Sequence, residues 1–172
     1  VSFVHVHVPH RTGFEGFLPF PADPIAHFRG VSDAAAALSW IQRNIEAFGG
    51  DPTNVTVAGA GADAAVALWL CRRDHYAGEF RRAWAADPVF PRAPYAKRKW
   101  AVRALLSAPL TRAKLNELAE NTPGRVERSY RRYASVFGPL GPHPWDDAEL
   151  AALVDIRVAD GFDAREVARF AR

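Results

Sequence analysis

The chain has 172 residues, of which 49% are hydrophobic and 24% charged, a composition typical of one ordinary globular domain. Its net charge of +3 is too small to indicate a nucleic-acid-binding surface. The single cysteine, Cys71, excludes an internal disulfide, and its apolar helical context predicts a buried core residue. No run approaches the roughly 18 apolar residues of a membrane span. No secretory leader is recognisable, so the cellular location stays open, with the cytoplasm slightly favoured.

The first segment, VSFVHVHVPH, alternates apolar and polar residues with the period of a β-strand. We therefore predict a strand over residues 3–8. His5 and His7 would share one face of it, as two metal ligands would. Because no third ligand is evident, we interpret that face as solvated and predict neither a metal nor another cofactor. The following stretch, RTGFEGFLPFPADP, contains glycines and prolines that predict irregular structure.

The segment SDAAAALSWIQRNIEAFGG predicts an amphipathic helix over residues 34–48 that ends at Gly49 and Gly50. Ser32 or Asp33 is the predicted N-cap, because short polar side chains accept hydrogen bonds from the first helical amides. The apolar residues at helical spacing predict one buried stripe, which comprises Ala37, Leu38, Ile41, Ile45 and Phe48.

The segment VTVAGAGADAA has the pattern of a strand, a glycine turn and a helix. We predict the strand at 55–58, the helix at 62–73 and a further strand at 82–86. This alternation predicts an α/β fold with a mainly parallel sheet and helices on both faces. The arginine-rich patterns after it predict a mostly helical region over 95–172, beside a core of strands and helices over 1–94, within a single domain.

A basic cluster over residues 97–103, with Tyr95 and Trp100 interleaved, has the pattern of a nucleic-acid contact. Acidic residues return soon afterwards, at Glu117 and Glu120, so the positive patch is short. We therefore interpret the cluster as a solvated helix face and predict no nucleic-acid partner.

The segment ALSWIQRNIEAFGGDPTNVTVAGAGADAA closely resembles the type-B carboxylesterases, the cholinesterase-like branch of the α/β-hydrolases. That family has the pattern A-L-x-W-V-x-x-N-I-x-x-F-G-G-D-P-x-x-V-T-x-x-G-E-S-A-G-A. The segment HVPHRTGFEGFL resembles the family's V-N-Y-R-x-G-x-x-G-F-L, and GEFRRAWAAD is similar to its L-F-x-R-A-I-x-x-S. The resemblance covers residues 4–88 and implies an α/β-hydrolase fold, incomplete relative to the family, and a small-molecule ester as substrate.

The resemblance also locates the turn that carries the family's catalytic serine, the nucleophile elbow. Gly61 occupies the serine position, Gly59 is the first glycine, Ala60 replaces the family's acidic residue and Asp63 replaces its last glycine. Covalent ester hydrolysis needs a nucleophile at that turn, and glycine has no side chain to supply one. The resemblance therefore implies a serine-esterase lineage whose member here is a pseudoenzyme.

The resemblance further implies that the family's oxyanion loop would precede Val1 and that its histidine would lie beyond residue 172. His143 does not match the context of that histidine, and we interpret it as a surface loop residue. LVDIRVADGFD is the nearest match to the strand and loop of the family acid, which makes Asp160 or Asp163 the candidate. The chain contains no methionine, and we expect it to be part of a longer or processed protein. We expect its incomplete sheet to be covered by self-association, a partner chain, further residues or the helices after residue 95.

Two other functions fit parts of the sequence. The hydrolase scaffold could serve as a non-catalytic module for binding or assembly. Alternatively, GAGADA fits the dinucleotide-binding pattern G-x-G-x-x-A between a strand and a helix, with Asp87 as the candidate ribose ligand. Against the second alternative, Asp63 would place a carboxylate in the first helical turn, where the pyrophosphate would bind.

Overall fold

The computed structural model describes residues 3–20, 28–73, 78–91 and 98–142. It contains two strands, β1 (Thr56–Ala60) and β2 (Arg82–Ala86). Its six α-helices, in chain order, are α1 (Gly13–Phe17), α2 (Arg29–Asn44), α3 (Ala62–Arg73), α4 (Lys99–Leu106), α5 (Arg112–Asn121) and α6 (Pro123–Phe137). Short 3-10 helices cover Ile45–Phe48 and Pro52–Asn54. His143, Asp160 and Asp163 lie outside the described residues.

Strands β1 and β2 pair in parallel, with Thr56 beside Arg82 and Ala60 beside Ala86. This confirms the predicted parallel α/β arrangement. Helix α3 connects the strands and packs on one face of the sheet. On the opposite face Thr56 and Ala58 are exposed, and the Trp84 side chain is 56% exposed. The prediction of helices on both faces is thus wrong for the described residues, because α4, α5 and α6 pack on one another and on α1 instead.

Residues 3–8 do not form the predicted strand. They have no regular structure, and the sheet of the described residues contains β1 and β2 alone. A strand depends on hydrogen bonds to a neighbouring strand, which an alternating sequence cannot supply by itself. Helix α1 is a second difference from the sequence prediction. The glycine-rich stretch was predicted to be irregular, but it contains this short helix, with Phe14 and Phe17 buried.

Helix α2 begins at Arg29, so Ser32 and Asp33 lie inside it and the prediction that either caps it is wrong. Asp33 instead accepts hydrogen bonds from the backbone N–H of Arg11 at 3.0 Å and from its Nε at 2.7 Å, and it also pairs with Nη2. These charge-assisted hydrogen bonds lower the pKa of the Asp33 carboxyl. The carboxylate therefore fixes the chain before α1 against α2.

The predicted stripe of α2 is confirmed at Leu38, Ile41 and Ile45, which are buried, whereas Ala37 is half-buried. Phe48 is 62% exposed, so its predicted burial is wrong. The helix tightens to a 3-10 turn from Ile45, and three residues per turn carry Phe48 off the α-helical stripe. Gly49 ends this turn in the left-handed conformation, with φ of 77°, as the glycine pair predicted.

One hydrophobic core joins the early elements to the later helices. Phe14, which is 1% exposed, lies with its ring centroid 5.3 Å from that of Tyr130 and 5.6 Å from that of Tyr133. Val102 and Leu106 of α4 are also fully buried in it. Cys71 is buried as predicted. In the described residues, the helices after residue 98 thus cover α1 and leave one sheet face open.

Replacing Asp33 with asparagine should lower the free energy of unfolding by about 1–2 kcal/mol at neutral pH, because the ion pair is only partly buried. The folded-state pKa of Asp33 is lowered, so its contribution is present above the unfolded-state pKa of about 3.9 and is lost as the pH falls through the folded-state value. Urea unfolding at several pH values should show the two proteins converging in acid. Glu127→Gln, which removes an exposed pair with Arg131, is the control and should change stability by less than about 0.5 kcal/mol. A constant difference down to strong acid would contradict the assignment.

Candidate functional site

Gly61 is the turn residue between the end of β1 and the start of α3. Its φ of 59° is left-handed, a conformation that glycine adopts without steric cost. Its N–H donates to the carbonyl of Ala86 at 2.9 Å, and its carbonyl accepts from the N–H of Val89 at 3.0 Å. The turn is therefore tied to the carboxyl end of β2, at the sheet edge where parallel α/β folds bind ligands.

A left-handed residue between a strand and a helix is the backbone arrangement expected of a nucleophile elbow. A Cβ atom built on Gly61 would have no heavy atom within 4 Å, so any side chain there would enter open space. A strained turn between strand and helix that exposes its central residue is the arrangement that presents a catalytic serine. With glycine at this position, the turn offers no hydroxyl or thiol for covalent catalysis.

Gly59 has a different role from Gly61, because the first turn of α3 packs directly on it. A Cβ atom on Gly59 would lie 2.5 Å from the backbone oxygen of Asp63 and 2.9 Å from the backbone nitrogen of Ala64. Such a contact is too short for any residue but glycine. Ala60, which stands at the family's acidic position, is exposed.

Asp63 lies in the first turn of α3, where a carboxylate is stabilised by the partial positive charge of the helix N-terminus. Its Oδ1 is 3.5 Å from Nε2 of His10, and the side chains are 60% and 12% exposed, respectively. Sequence reasoning did not identify His10. It stands where the family pattern has tyrosine, and Asp63 stands where that pattern has glycine, but no signal in the sequence shows that these two departures meet.

A cavity of about 760 Å³ lies beside the elbow. Its lining includes residues 3–8, His10 and Asp63, together with apolar side chains of α2 and α3. His5 and His7 also line it, and both are exposed. No three potential metal ligands come together anywhere in the described part of the chain.

Asp87, the candidate ribose ligand, directly follows β2 and is exposed, with φ of 45°. The residue before it, Ala86, accepts the hydrogen bond from Gly61. Asp87 and Asp63 thus place two carboxylates on the segments that meet at the turn, which disfavours a pyrophosphate there by like charge. The geometry gives the dinucleotide alternative no further support.

Four serine hydroxyls of the described residues are engaged in structural hydrogen bonds. Ser39 Oγ donates to Glu79 Oε1 at 2.6 Å, and Ser129 Oγ donates to the carbonyl of Leu105 at 3.2 Å. Ser107 and Ser135 bond to carbonyls of their own helices. Within residues 3–20, 28–73, 78–91 and 98–142, none of these hydroxyls bonds to a histidine, the usual base for an activated serine.

Part of the basic cluster is likewise used within the fold. Arg98 donates to the carbonyl of Phe137 at 2.8 Å, and its guanidinium lies 4.8 Å from the centroid of the Phe137 ring. Lys97 and Tyr95 lie outside the described residues. In the described helices, none combines the length and the apolar character that crossing a bilayer requires.

Comparisons with known proteins agree with this geometry. Residues 2–102 match the model of the carboxylesterase family. The chain is 44% identical to esterase E4 of Myzus persicae over 63 residues, 37% of this chain and 11% of that protein. It is 42% identical to mouse thyroglobulin over 84 residues, 48% of this chain and 3% of that protein.

Among solved structures, the fold matches an esterase from Clostridium hathewayi that can hydrolyse aliphatic aromatic polyesters. The TM-score is 0.57 and the identity 25%, over 80% of this chain and 30% of that one. The chain thus spans less than a third of the length of these relatives. The matched family, the elbow geometry and the parallel strands agree with the motifs over residues 4–88, and the chain belongs to the carboxylesterase family, in the type-B branch of the α/β-hydrolases.

Proposed function

We propose that this chain is a catalytically inactive carboxylesterase homologue, an ester hydrolase by descent. The observation that carries the proposal is Gly61. The turn keeps a left-handed residue with open space around it, and that residue has no side chain. Acyl transfer to a protein needs an activated oxygen, sulfur or nitrogen nucleophile at the elbow.

The charge at the elbow supports the same proposal. Ester hydrolysis builds negative charge on the carbonyl oxygen, and enzymes of this kind stabilise that charge with backbone N–H groups near the start of the helix. Asp63 places a carboxylate in that first turn, and its side chain is 60% exposed. The carboxylate would repel a developing oxyanion and take up part of the helix N-terminal charge.

A binding or assembly role on the same scaffold is the second candidate. The open face of the sheet is the surface available for such a role in the described residues, and Trp84 is 56% exposed there. A small-molecule ester is the ligand class that family membership suggests. One of the relatives is named thyroglobulin. Because this name is not that of an esterase, it is consistent with a role other than ester hydrolysis.

Incubation with a fluorophosphonate probe, which labels activated serines, should leave the protein unmodified in intact-mass spectra. Gly61→Ser should also remain unlabelled, because in the described residues no histidine bonds to the turn and Asp63 still opposes an oxyanion. An active serine esterase treated in parallel verifies the reagent. Stoichiometric labelling of the unmutated chain, or turnover of a short-chain nitrophenyl ester above a heat-killed sample, would contradict the proposal.

A further inference from the structure

Helices α4 and α6 pack on each other and run in opposite directions. The start of α4 lies at the end of α6, because Arg98 donates to the carbonyl of Phe137 at 2.8 Å. The end of α4 lies at the start of α6, because Arg125 donates to the carbonyl of Leu106 at 2.7 Å. The fold therefore joins the outer sides of two helices that α5 separates in the sequence.

The outer side of α6 carries two exposed arginines beside α4. Ser129 of α6 donates a hydrogen bond to α4, and Tyr130 packs on the other side, against Phe14 of α1. Arg128 and Arg132 are one helical turn apart, and both lie on the side of Ser129 that faces away from Tyr130. Both are exposed. They thus extend along the surface that α6 shares with α4.

Few acidic residues balance the cations of this helix pair. Helix α4 contains Lys99 and Arg103, both exposed, and no acidic residue. Helix α6 contains four arginines and one acidic residue, Glu127, whose carboxylate is 3.6 Å from the guanidinium of Arg131. No other cation of these two helices pairs with a carboxylate of the described residues. The acidic residues that follow the basic cluster in the sequence belong to α5.

Two large apolar side chains protrude at one end of the same helix pair. Trp100 is 66% exposed and Val136 is 63% exposed. The ring centroid of Trp100 lies 6.3 Å from that of Phe137, the residue next to Val136, so both side chains are at the end where α4 begins and α6 ends. Contact with an apolar phase would remove their surface from water, which is favourable.

We propose that this basic face binds the surface of an anionic lipid membrane. The basic face comprises Lys99, Trp100, Arg103, Arg128, Arg132 and Val136. Negatively charged headgroups attract clustered lysine and arginine side chains on a helical surface. Tryptophan is favoured at the depth of the headgroups, because its ring is apolar and its indole N–H is polar. The two helices would lie on the membrane surface, as amphipathic helices do.

The shape of the basic face favours a lipid surface over an acidic protein as the occupant. A protein partner receives a tryptophan in a shaped pocket and places its own charges at fixed positions. A bilayer receives a protruding ring without a matching pocket, and its mobile headgroups neutralise cations wherever these lie. The basic face has protruding apolar side chains and cations spread over two helices, which is the pattern that a fluid surface accommodates.

The test measures sedimentation of the protein with lipid vesicles. One set of vesicles contains phosphatidylcholine alone, and the other also contains about 30% phosphatidylserine. At about 0.05 M salt, the protein should bind the anionic vesicles about tenfold or more tightly than the neutral ones. At about 0.5 M salt most of this difference should be lost, because salt screens the attraction between the cations and the headgroups.

A matched pair of double variants separates the basic face from the net charge. Arg128→Gln combined with Arg132→Gln should weaken binding to the anionic vesicles by about tenfold or more. Lys114→Gln combined with Arg131→Gln removes the same charge from cations that pair with acidic side chains of their own helices. This control should change binding by less than about threefold.

A second matched pair tests the apolar part of the basic face. Trp100→Ala should weaken binding to the anionic vesicles by about fivefold or more at both salt concentrations, because salt does not screen apolar contact. Trp84→Ala removes an exposed ring from the open face of the sheet and should leave binding unchanged. Circular dichroism of all four variants verifies that each is folded.

Equal binding to neutral and anionic vesicles, or to neither, would overturn the proposal. Equal losses in the two double variants would also overturn it, since net charge alone would then explain the binding. Binding to soluble polyglutamate that requires Arg128 and Arg132, with no effect of Trp100→Ala on vesicle binding, would assign the basic face to an acidic protein instead. None of these outcomes depends on whether the Gly61 turn is catalytically inactive.

Discussion

Gly59→Ala should destabilise the protein by about 3 kcal/mol, whereas Gly61→Ala, two residues along the same turn, should cost about 1 kcal/mol. The new methyl group at position 59 would lie 2.5 Å from the backbone oxygen of Asp63. Backbone cannot move aside as a flexible side chain can, so α3 would have to shift away from β1. At position 61 the methyl group meets nothing within 4 Å, and the cost comes from the left-handed φ of 59° alone.

Urea unfolding followed by circular dichroism measures both changes. The slopes of the unfolding free energy against urea concentration are compared among the two variants and the unmutated protein, to verify two-state behaviour. Equal losses at the two positions would contradict the assignment of different roles. So would a loss below about 0.5 kcal/mol for Gly59→Ala. The expected order would show that packing against α3 requires glycine at position 59, while the backbone at position 61 would tolerate the side chain that catalysis needs.

The sequence predicted this elbow well because local pattern and family motif coincide there. The strand, the turn and helix α3 appear within a few residues of their predicted bounds. The position of Gly61 in the turn was predicted as well. Each of these features depends on neighbours in the chain, such as glycine at a left-handed turn or apolar residues at a regular spacing.

The features that the sequence did not predict depend on contacts between distant residues. Residues 3–8 have the alternation of a strand, but no strand of the described part of the chain pairs with them. Asp33 has the chemistry of a cap, but its carboxylate bonds to Arg11 instead, a stronger and charge-assisted partner. The approach of His10 to Asp63 at 3.5 Å likewise required the fold. No period or motif encodes such pairings.

The burial of Phe14 and the exposure of Phe48 could not be predicted from the sequence either, because both depend on contacts between distant residues. Phe48 continues the apolar stripe of α2, yet it is 62% exposed and contacts Trp40 at a ring distance of 5.8 Å. Phe14 lies in a stretch whose glycines and prolines predicted irregular structure, yet it is 1% exposed. It joins α1 to α6 through Tyr130 and Tyr133.

Phe14→Ala should therefore lower the free energy of unfolding by about 3–5 kcal/mol, because it removes a buried aromatic ring and leaves a cavity between α1 and α6. Phe48→Ala is the matched control and should cost less than about 1 kcal/mol, since its ring is largely in water already. Urea unfolding of the two variants gives both values under identical conditions. A larger loss of stability for Phe48→Ala than for Phe14→Ala would support the burial of Phe48 that the sequence predicts. It would also contradict the packing of the later helices on α1.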